Sequence, residues 1–389
     1  MFKRGFTEQE YRRRCAAAQE FMTTTDVDVL LLTTEAELFY FSGFYTPFWR
    51  SPTRPWFLLL PRTGKPIAVI PSIGEALMKN CHVESIFTWV APHADDEGIS
   101  LLAKQLQQQN ALRIGMMSGR QSHLRMPQQD FQQLQQKIPD SIFIDVTVAI
   151  HAVRQCKSVA EIEKIEHVCD VVSTVFEQVP EWLQIGMTAR EAHRRFKIEC
   201  LLAGVDDVNY LACGNGAGGY VDIISPPDDT LLKDGDIFML DAGCVIDGYY
   251  CDFNRNYALG RISTKSRQAY DTLWRATEAV LAAAKPSTRC CDLFFAMNDV
   301  IRVAGYDTAS AGRYGHGVGI ELTETPSLVE WDKTPLRPGM VIAIEPSLIY
   351  ADGMTMVHEE NIVITDTTAR LLTHRASKKM PLISSIESI

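Results

Sequence analysis

The chain has 389 residues, 46% hydrophobic and 22% charged, long enough for two or three domains with a sizeable core. Its net charge of -10 argues against non-specific nucleic-acid binding, which needs clustered Lys and Arg. No stretch approaches 18 continuous apolar residues, so no membrane span is expected, and Met1 to Arg14 hold no apolar core of signal-peptide length.

In chain order, Thr7 to Thr24 reads as a helix, with Thr7 and Glu10 spaced as a capping box. Asp28 to Thr33 reads as a buried strand. Leu38 to Ser42, Trp56 to Leu60 and Pro66 to Ile70 read as three more, separated by Gly and Pro. Alternating helix and strand over residues 1–150 predicts a small α/β domain. Residues 151–389 form a second part. It opens with helices over Ser158 to Val179 and Ala189 to Ala203, followed by strands from Val208 to Tyr257. Helices around Ser266 to Lys285 and Arg289 to Ala304 then lead into a strand-rich stretch from Gly339 to Thr373. A helix pair followed by strands therefore occurs twice, which points to an internal duplication. The ten cysteines show no Cys-x-x-Cys spacing and fit reduced thiols in a cytoplasmic protein. Cys290 and Cys291 read as a helix-packing pair. Cys251 faces away from Asp252 by strand alternation and reads as packing.

The second part carries the chemistry. Asp236 to Asp241 is an apolar strand ending in an acid, Asp247-Gly248 is a two-residue hairpin turn, and Tyr249 to Tyr257 returns. Centring the hairpin on that turn sets Asp241 opposite Asn254. Asp252 is then its diagonal neighbour on the same face, about 7–8 Å away along the backbone. A second hairpin about Asp352-Gly353 pairs a strand Val341 to Tyr350, holding Glu345, with Thr355 to Thr365, holding Glu359. The two glutamates fall within a residue of direct opposition. His316 lies in a Tyr314-Gly-His-Gly-Val-Gly run whose glycines allow close backbone approach. Unpaired buried carboxylates would repel and protonate. Four of them carry a formal charge of -4, which two divalent cations cancel. Oxygen-rich ligation with one imidazole suits Mn, Fe or Co, and Zn is admissible. Two such ions roughly 3.5–4 Å apart can hold a bridging hydroxide and clamp a substrate oxygen.

The words Asp241-Ala-Gly, Asp252-Phe-Asn-Arg255, Gly315-His-Gly-Val-Gly319, Ile344-Glu345-Pro346 and Glu359-Glu-Asn-Ile-Val-Ile-Thr365 resemble the pita-bread metallopeptidase family of Xaa-Pro dipeptidases, Xaa-Pro aminopeptidases and creatinase. The resemblance implies an α/β (α+β) chain: a creatinase-like amino-terminal domain (1–150), including Glu37-Leu-Phe-Tyr-Phe-Ser-Gly43, then a pita-bread catalytic domain (151–389). It implies that Asp241 is a terminal ligand of one metal, that Asp252 and Glu359 bridge, and that His316 and Glu345 hold the other metal. It also implies a homodimer acting on a dipeptide or other small molecule.

Two positions depart from the family's pattern. Its usual His-Glu-x-Pro word is Thr323-Glu-Thr-Pro326 here, and Ile224 stands where a second His is usual. Thr323 can hydrogen-bond but carries no charge, and Ile224 does neither. Losing such donors costs a few kcal/mol of transition-state stabilisation. Peptide hydrolysis of the Xaa-Pro type is the first expectation. A non-peptidase member acting on a small zwitterion, such as dimethylsulfoniopropionate lyase or ectoine hydrolase, is the second. A non-catalytic binding protein, in which ligand decay would be expected, is the third. Glu321 and Glu324 flank Thr323 as candidate general bases, with a structural role for Glu324 as the plainer alternative. Trp49, Arg50, Arg54 and Trp56 are candidate substrate contacts, weighed against packing on their own domain.

Overall fold

The computed structural model describes residues 2–51, 54–308, 312–351 and 353–384. The chain divides into two compact units, 3–154 and 155–389. The break falls within a helix, Thr147–Gln155.

The first unit is a six-stranded mixed sheet. Its strands are β1 (Val29–Leu32), β2 (Phe57–Pro61), β3 (Ile67–Pro71), β4 (Ser85–Trp89), β5 (Arg113–Met116) and β6 (Ile142–Asp145), in the order β4-β3-β2-β1-β5-β6. β1 is buried along its whole length, with strands on both edges and Val29 and Leu31 packed against Leu102 and Leu106, as an unbroken Val-Leu-Leu-Leu run requires. The first helix, α1 (Glu8–Thr25), is capped by Thr7, whose hydroxyl accepts from the Glu10 amide at 3.3 Å. The reciprocal half of the expected capping box is absent: Glu10 turns to Arg13 and Arg14.

Leu38 to Ser42 is a helix, not a strand. It lies in α2 (Glu35–Ser42), started by a full capping box between Thr34 and Glu37. Residues 36–42 of α2 are buried all round, so no apolar–polar period marks the helix in sequence. Trp49 and Trp56 are buried, and their rings lie 5.8 Å apart beside Phe44. The Arg125 guanidinium covers the Trp49 ring at 4.6 Å and donates to the carbonyls of Arg54 and Ser51. Both indoles are thus committed to their own domain, which favours packing over substrate contact. Arg54 lies over Phe48 at 5.5 Å, and Arg50 is exposed.

The second unit holds α3 (Val159–Trp182), α4 (Ala189–Ala203), α5 (Thr264–Ala283) and α6 (Cys290–Val303) together with mainly antiparallel sheets. Here β7 (Asp207–Ala217), β8 (Asp236–Ile246), β9 (Tyr249–Tyr250) and β10 (Phe253–Leu259) form one sheet, with β19 (Leu382–Ile383) at its edge. A second sheet has the order β13-β12-β14-β17-β18, from β12 (Gly315–Gly317), β13 (Glu324–Ser327), β14 (Val341–Ile344), β17 (Glu360–Ile364) and β18 (Ala369–Leu371). A third contains β11 (Asp307–Thr308), β15 (Ser347–Tyr350) and β16 (Met354–Val357). Ile237 and Met239 of β8 pack with Leu273, Val280, Met297, Ile342 and Ile362 in one apolar core. Asp241 continues that face by the two-residue period of a strand, which is why an acid ends up desolvated.

The two expected single strands of the second hairpin are each broken. β14 and β15 separate at Glu345-Pro346, and β16 and β17 at His358-Glu359. Ile344 pairs with Glu360 and Ser347 with Val357, so one register runs through the break and sets Glu345 against Glu359. The hairpin there passes from one sheet to another. Pro346 has no amide to continue the ladder, while its carbonyl accepts from His358 at 3.2 Å. Asp352 of the expected turn lies outside the described residues.

Candidate metal centre

The first hairpin positions two acids. Asp247 (φ 51°) and Gly248 (φ 78°) both take left-handed backbone, the pairing a two-residue type I′ turn demands. The turn fixes Ile246 against Tyr249 and carries the register to Asn254 against Asp241. The ladder opens at Cys251-Asp252, and Asn361 closes on the gap. Its side-chain oxygen accepts from the Asp252 amide at 2.9 Å, and its Nδ2 donates to the Asp252 carbonyl at 2.6 Å. Cys251 is fully buried, with its thiol near the Ala242 carbonyl, and is packing.

His316 is held between two strands. A Cβ on Gly315 would lie 2.5 Å from the Ala343 carbonyl, and one on Gly317 2.4 Å from that of Thr325, so only glycine admits both neighbours. His316 Nδ1 lies 2.9 Å from the Gly317 carbonyl. With the proton on Nδ1, the Nε2 lone pair faces Asp252 Oδ2 at 3.2 Å and Glu345 Oε1 at 3.8 Å.

The side-chain oxygens of Asp241, Asp252 and Glu359 lie within 4.8 Å of one another, a spacing that can hold a metal ion. Asp241, Asp252, His316 and Glu359 are all buried, and the Glu345 side chain is 19% exposed. Two charges this close repel by about 3.5 kcal/mol or more at an effective dielectric constant near 20. Burial, then the Asp252 charge, pushes the Asp241 carboxyl up to about 8. Burial pushes Asp252 to about 8 against the opposing pull of Arg313. Glu345 and Glu359 are raised by burial, Glu359 further by Asp241, and burial lowers His316. Asp241 Oδ1 has no hydrogen-bond partner although buried. Clustered acids that would otherwise hold protons, an orphaned oxygen and an imidazole lone pair aimed at them fit divalent cations.

Three further residues touch this set. Burial and the neighbouring Asp241 carboxylate push the Tyr210 phenol, on β7, well up from its usual range. Arg313 Nε donates to Glu345 Oε1 at 3.2 Å, and its Nη2 reaches Thr323 Oγ1 at 3.4 Å. Arg255 donates to the Glu359 carbonyl at 2.8 Å and pairs with the buried Glu360. Asn361 and Arg255 sit inside the family-like words and could have been flagged there. Arg313 stands three residues before His316 in a glycine-rich run. No local signal marks Tyr210, because its contact comes from strand pairing.

Around Thr323 the structure separates the candidates. Glu324 is buried against Lys157, with Oε2 to Nζ at 2.8 Å, and its Oε1 accepts from the amides of Ile320 and Glu321. That carboxylate braces the turn, which weighs against its serving as a base. Glu321 is half-buried and Thr323 exposed. Ile224 is 75% exposed in a loop ordered by Asp222.

The creatinase/prolidase N-terminal domain model matches residues 14–156, and that of metallopeptidase family M24 matches residues 163–366, just over half the chain. The probable dipeptidase PepE of Mycobacterium tuberculosis is 27% identical over 94% of both chains. The crystal structure of dipeptidase PepE from Mycobacterium ulcerans superposes with a TM-score of 0.84 at 26% identity, covering 97% of this chain and 99% of that one. Prolidase from Thermococcus sibiricus shares the fold, with a TM-score of 0.86 at 21% identity over 97% and 100% of the two chains. So does the N-terminal domain of the FACT complex subunit SPT16 from chickpea, at 0.78 and 14% over 97% and 99%. The chain belongs to metallopeptidase family M24 and carries the creatinase/prolidase type of amino-terminal domain.

Proposed function

We propose that the chain is a divalent-metal hydrolase that cleaves the amide bond of a dipeptide or similar small amide. The observation that carries this reading is the convergence of the Asp241, Asp252 and Glu359 oxygens beside the His316 lone pair and Glu345. Asp241 would be a terminal ligand, Asp252 and Glu359 shared ligands, and His316 and Glu345 ligands of a second ion, with Mn, Fe or Co preferred. Two such ions, when bound, supply an activated water and a clamp for the carbonyl oxygen.

The chain's own residues orient that set. The Gly317 carbonyl fixes the His316 tautomer, Asn361 fixes the Asp252 backbone, and the Tyr210 phenol stands beside Asp241. Proton transfer falls to Glu321 rather than to Glu324, whose carboxylate is bound to Lys157. With Ile224 exposed and Thr323 uncharged, Xaa-Pro dipeptides are expected to be cleaved poorly. The same two positions favour a second reading, a member of this fold acting on a small zwitterion. We further propose a cytoplasmic homodimer. No helix among the described residues is long and apolar enough to cross a membrane.

The test is a panel of Xaa-Pro and other dipeptides beside small betaines and cyclic amides, run on protein loaded separately with Mn, Fe, Co and Zn. Turnover of a dipeptide, lost in Asp252→Ala, supports the hydrolase. Turnover of a betaine alone moves the second reading to first place. Metal binding without turnover of any compound would favour a binding protein.

A further inference from the structure

We propose that Arg313 is a catalytic residue of this chain: the charged donor to the substrate oxygen on which negative charge develops, standing in for the imidazole absent at Thr323. The inference rests on the hydrolase reading. The guanidinium lies at the rim of the candidate metal centre, its side chain 33% exposed. It donates through Nε to Glu345 and through Nη2 to Thr323, and Nη1 makes no hydrogen bond to the described residues. Its fork is therefore anchored on one ligand carboxylate and on the departing position itself, with a donor left for a third group. No other Lys or Arg among the described residues reaches both Thr323 and a member of the ligand set. Arg255, the other arginine near the ligands, is spent on the carbonyls of Asn254, Glu359 and His374 and on Glu360.

In the step itself, water adds to the amide carbon and the carbonyl π electrons move onto oxygen. Arg313 hydrogen-bonds that oxygen and keeps its proton. Collapse restores the carbonyl and expels the amine, which takes up the proton lost by water. A guanidinium stays charged at every working pH, whereas an imidazole in this role is charged only below about 6.5. The replacement thus removes one proton-dependent limb from the rate profile.

The experiment uses the Mn-loaded full chain with Ala-Leu and with Ala-Leu amide, comparing Arg313→Met, Arg313→Lys and Arg313→Met/Thr323→His. Arg313→Met should lower kcat/KM by about 100–1,000-fold, as for removal of one oxyanion donor, and equally for acid and amide. Arg313→Lys should be intermediate. The double variant should recover at least about tenfold, with a new fall in rate above about pH 6.5. Metal content should stay unchanged throughout.

A loss confined to the free acid would make Arg313 an anchor for the substrate carboxylate and overturn the proposal. A loss that tracks metal content would make it a brace for Glu345, and a loss under threefold would remove it from the chemistry. Calorimetric binding of inorganic phosphate to the Mn-loaded chain reads the same contact without turnover. Arg313→Met should weaken it about 30-fold, and equal binding overturns the proposal. If the unmodified chain cleaves neither compound while phosphate binding still depends on Arg313, the dipeptidase reading fails and the contact stands.

Discussion

Removing Lys157 should destabilise the second unit severely while leaving the ligand chemistry intact. Its side chain is 2% exposed and that of Glu324 5%, and they meet at 2.8 Å. Breaking such a pair by deleting one partner costs about 3–5 kcal/mol, because the other charge stays buried without its counter-ion. Glu324 would keep the amides of Ile320 and Glu321, which places Lys157→Met toward the lower end. For a domain of 150–250 residues, about 2–4 °C is lost per kcal/mol, so melting should fall by about 6–12 °C. Lys157→Met/Glu324→Gln removes both charges, and the amide oxygen can still accept from the two backbone groups. It should recover most of the loss. Differential scanning calorimetry of the metal-loaded variants reads each corner of the cycle. A Lys157→Met loss under 1 kcal/mol would refute the brace. So would a double variant that folds, keeps its metal and loses turnover, since Glu324 would then be carrying protons.

Other consequences follow from the same geometry. Asn361→Ala removes both bonds to the Asp252 backbone and should cost about 2 kcal/mol of stability and at least tenfold in metal affinity, read by calorimetric titration. Tyr210→Phe should weaken metal binding about 10-fold or more without unfolding the chain; unchanged affinity would remove Tyr210 from the centre. Asp241 and Asp252 titrate near 8 in the folded metal-free chain and near 4 when unfolded, so the folded state binds more protons between those values. Stability of the metal-free chain therefore falls as pH rises from about 4 to 8, and divalent metal should raise the melting temperature more at pH 8.5 than at pH 5.5. A metal-induced shift independent of pH would contradict that sign. Thr323→His alone should not make the chain an efficient Xaa-Pro dipeptidase, because Ile224 is unchanged; wild-type kcat/KM near 10⁴–10⁸ M⁻¹s⁻¹ on such substrates would oppose the expectation of poor cleavage.

The hairpin arithmetic was legible because a turn word fixes every pair behind it. Asp247-Gly248 sets Asn254 against Asp241, and centring the second hairpin on Asp352-Gly353 comes within one residue of the register that sets Glu345 against Glu359. The breaks at Glu345-Pro346 and His358-Glu359 are not legible, since they arise where strands change sheets, and the one at Cys251-Asp252 is not legible because the Asn361 side chain that closes on it comes from another sheet. The helix over Glu35–Ser42 reads partly as strand in sequence because burial on all sides erases the helical period, although the Thr34–Glu37 capping pair announces it. Arg313, Tyr210 and Lys157 were missed for one reason: each reaches the centre or its surround from another element. Sequence spacing does not encode such contacts.

The central claim is that the buried acids and His316 exist to hold cations. Calorimetric titration of Mn into the metal-stripped chain at pH 7, with bound metal counted independently by plasma mass spectrometry, tests it most directly. Two ions per chain should bind with release of protons from the acids, and Asp252→Ala should lose both. Absence of binding, or two ions retained by Asp252→Ala, would contradict the assignment.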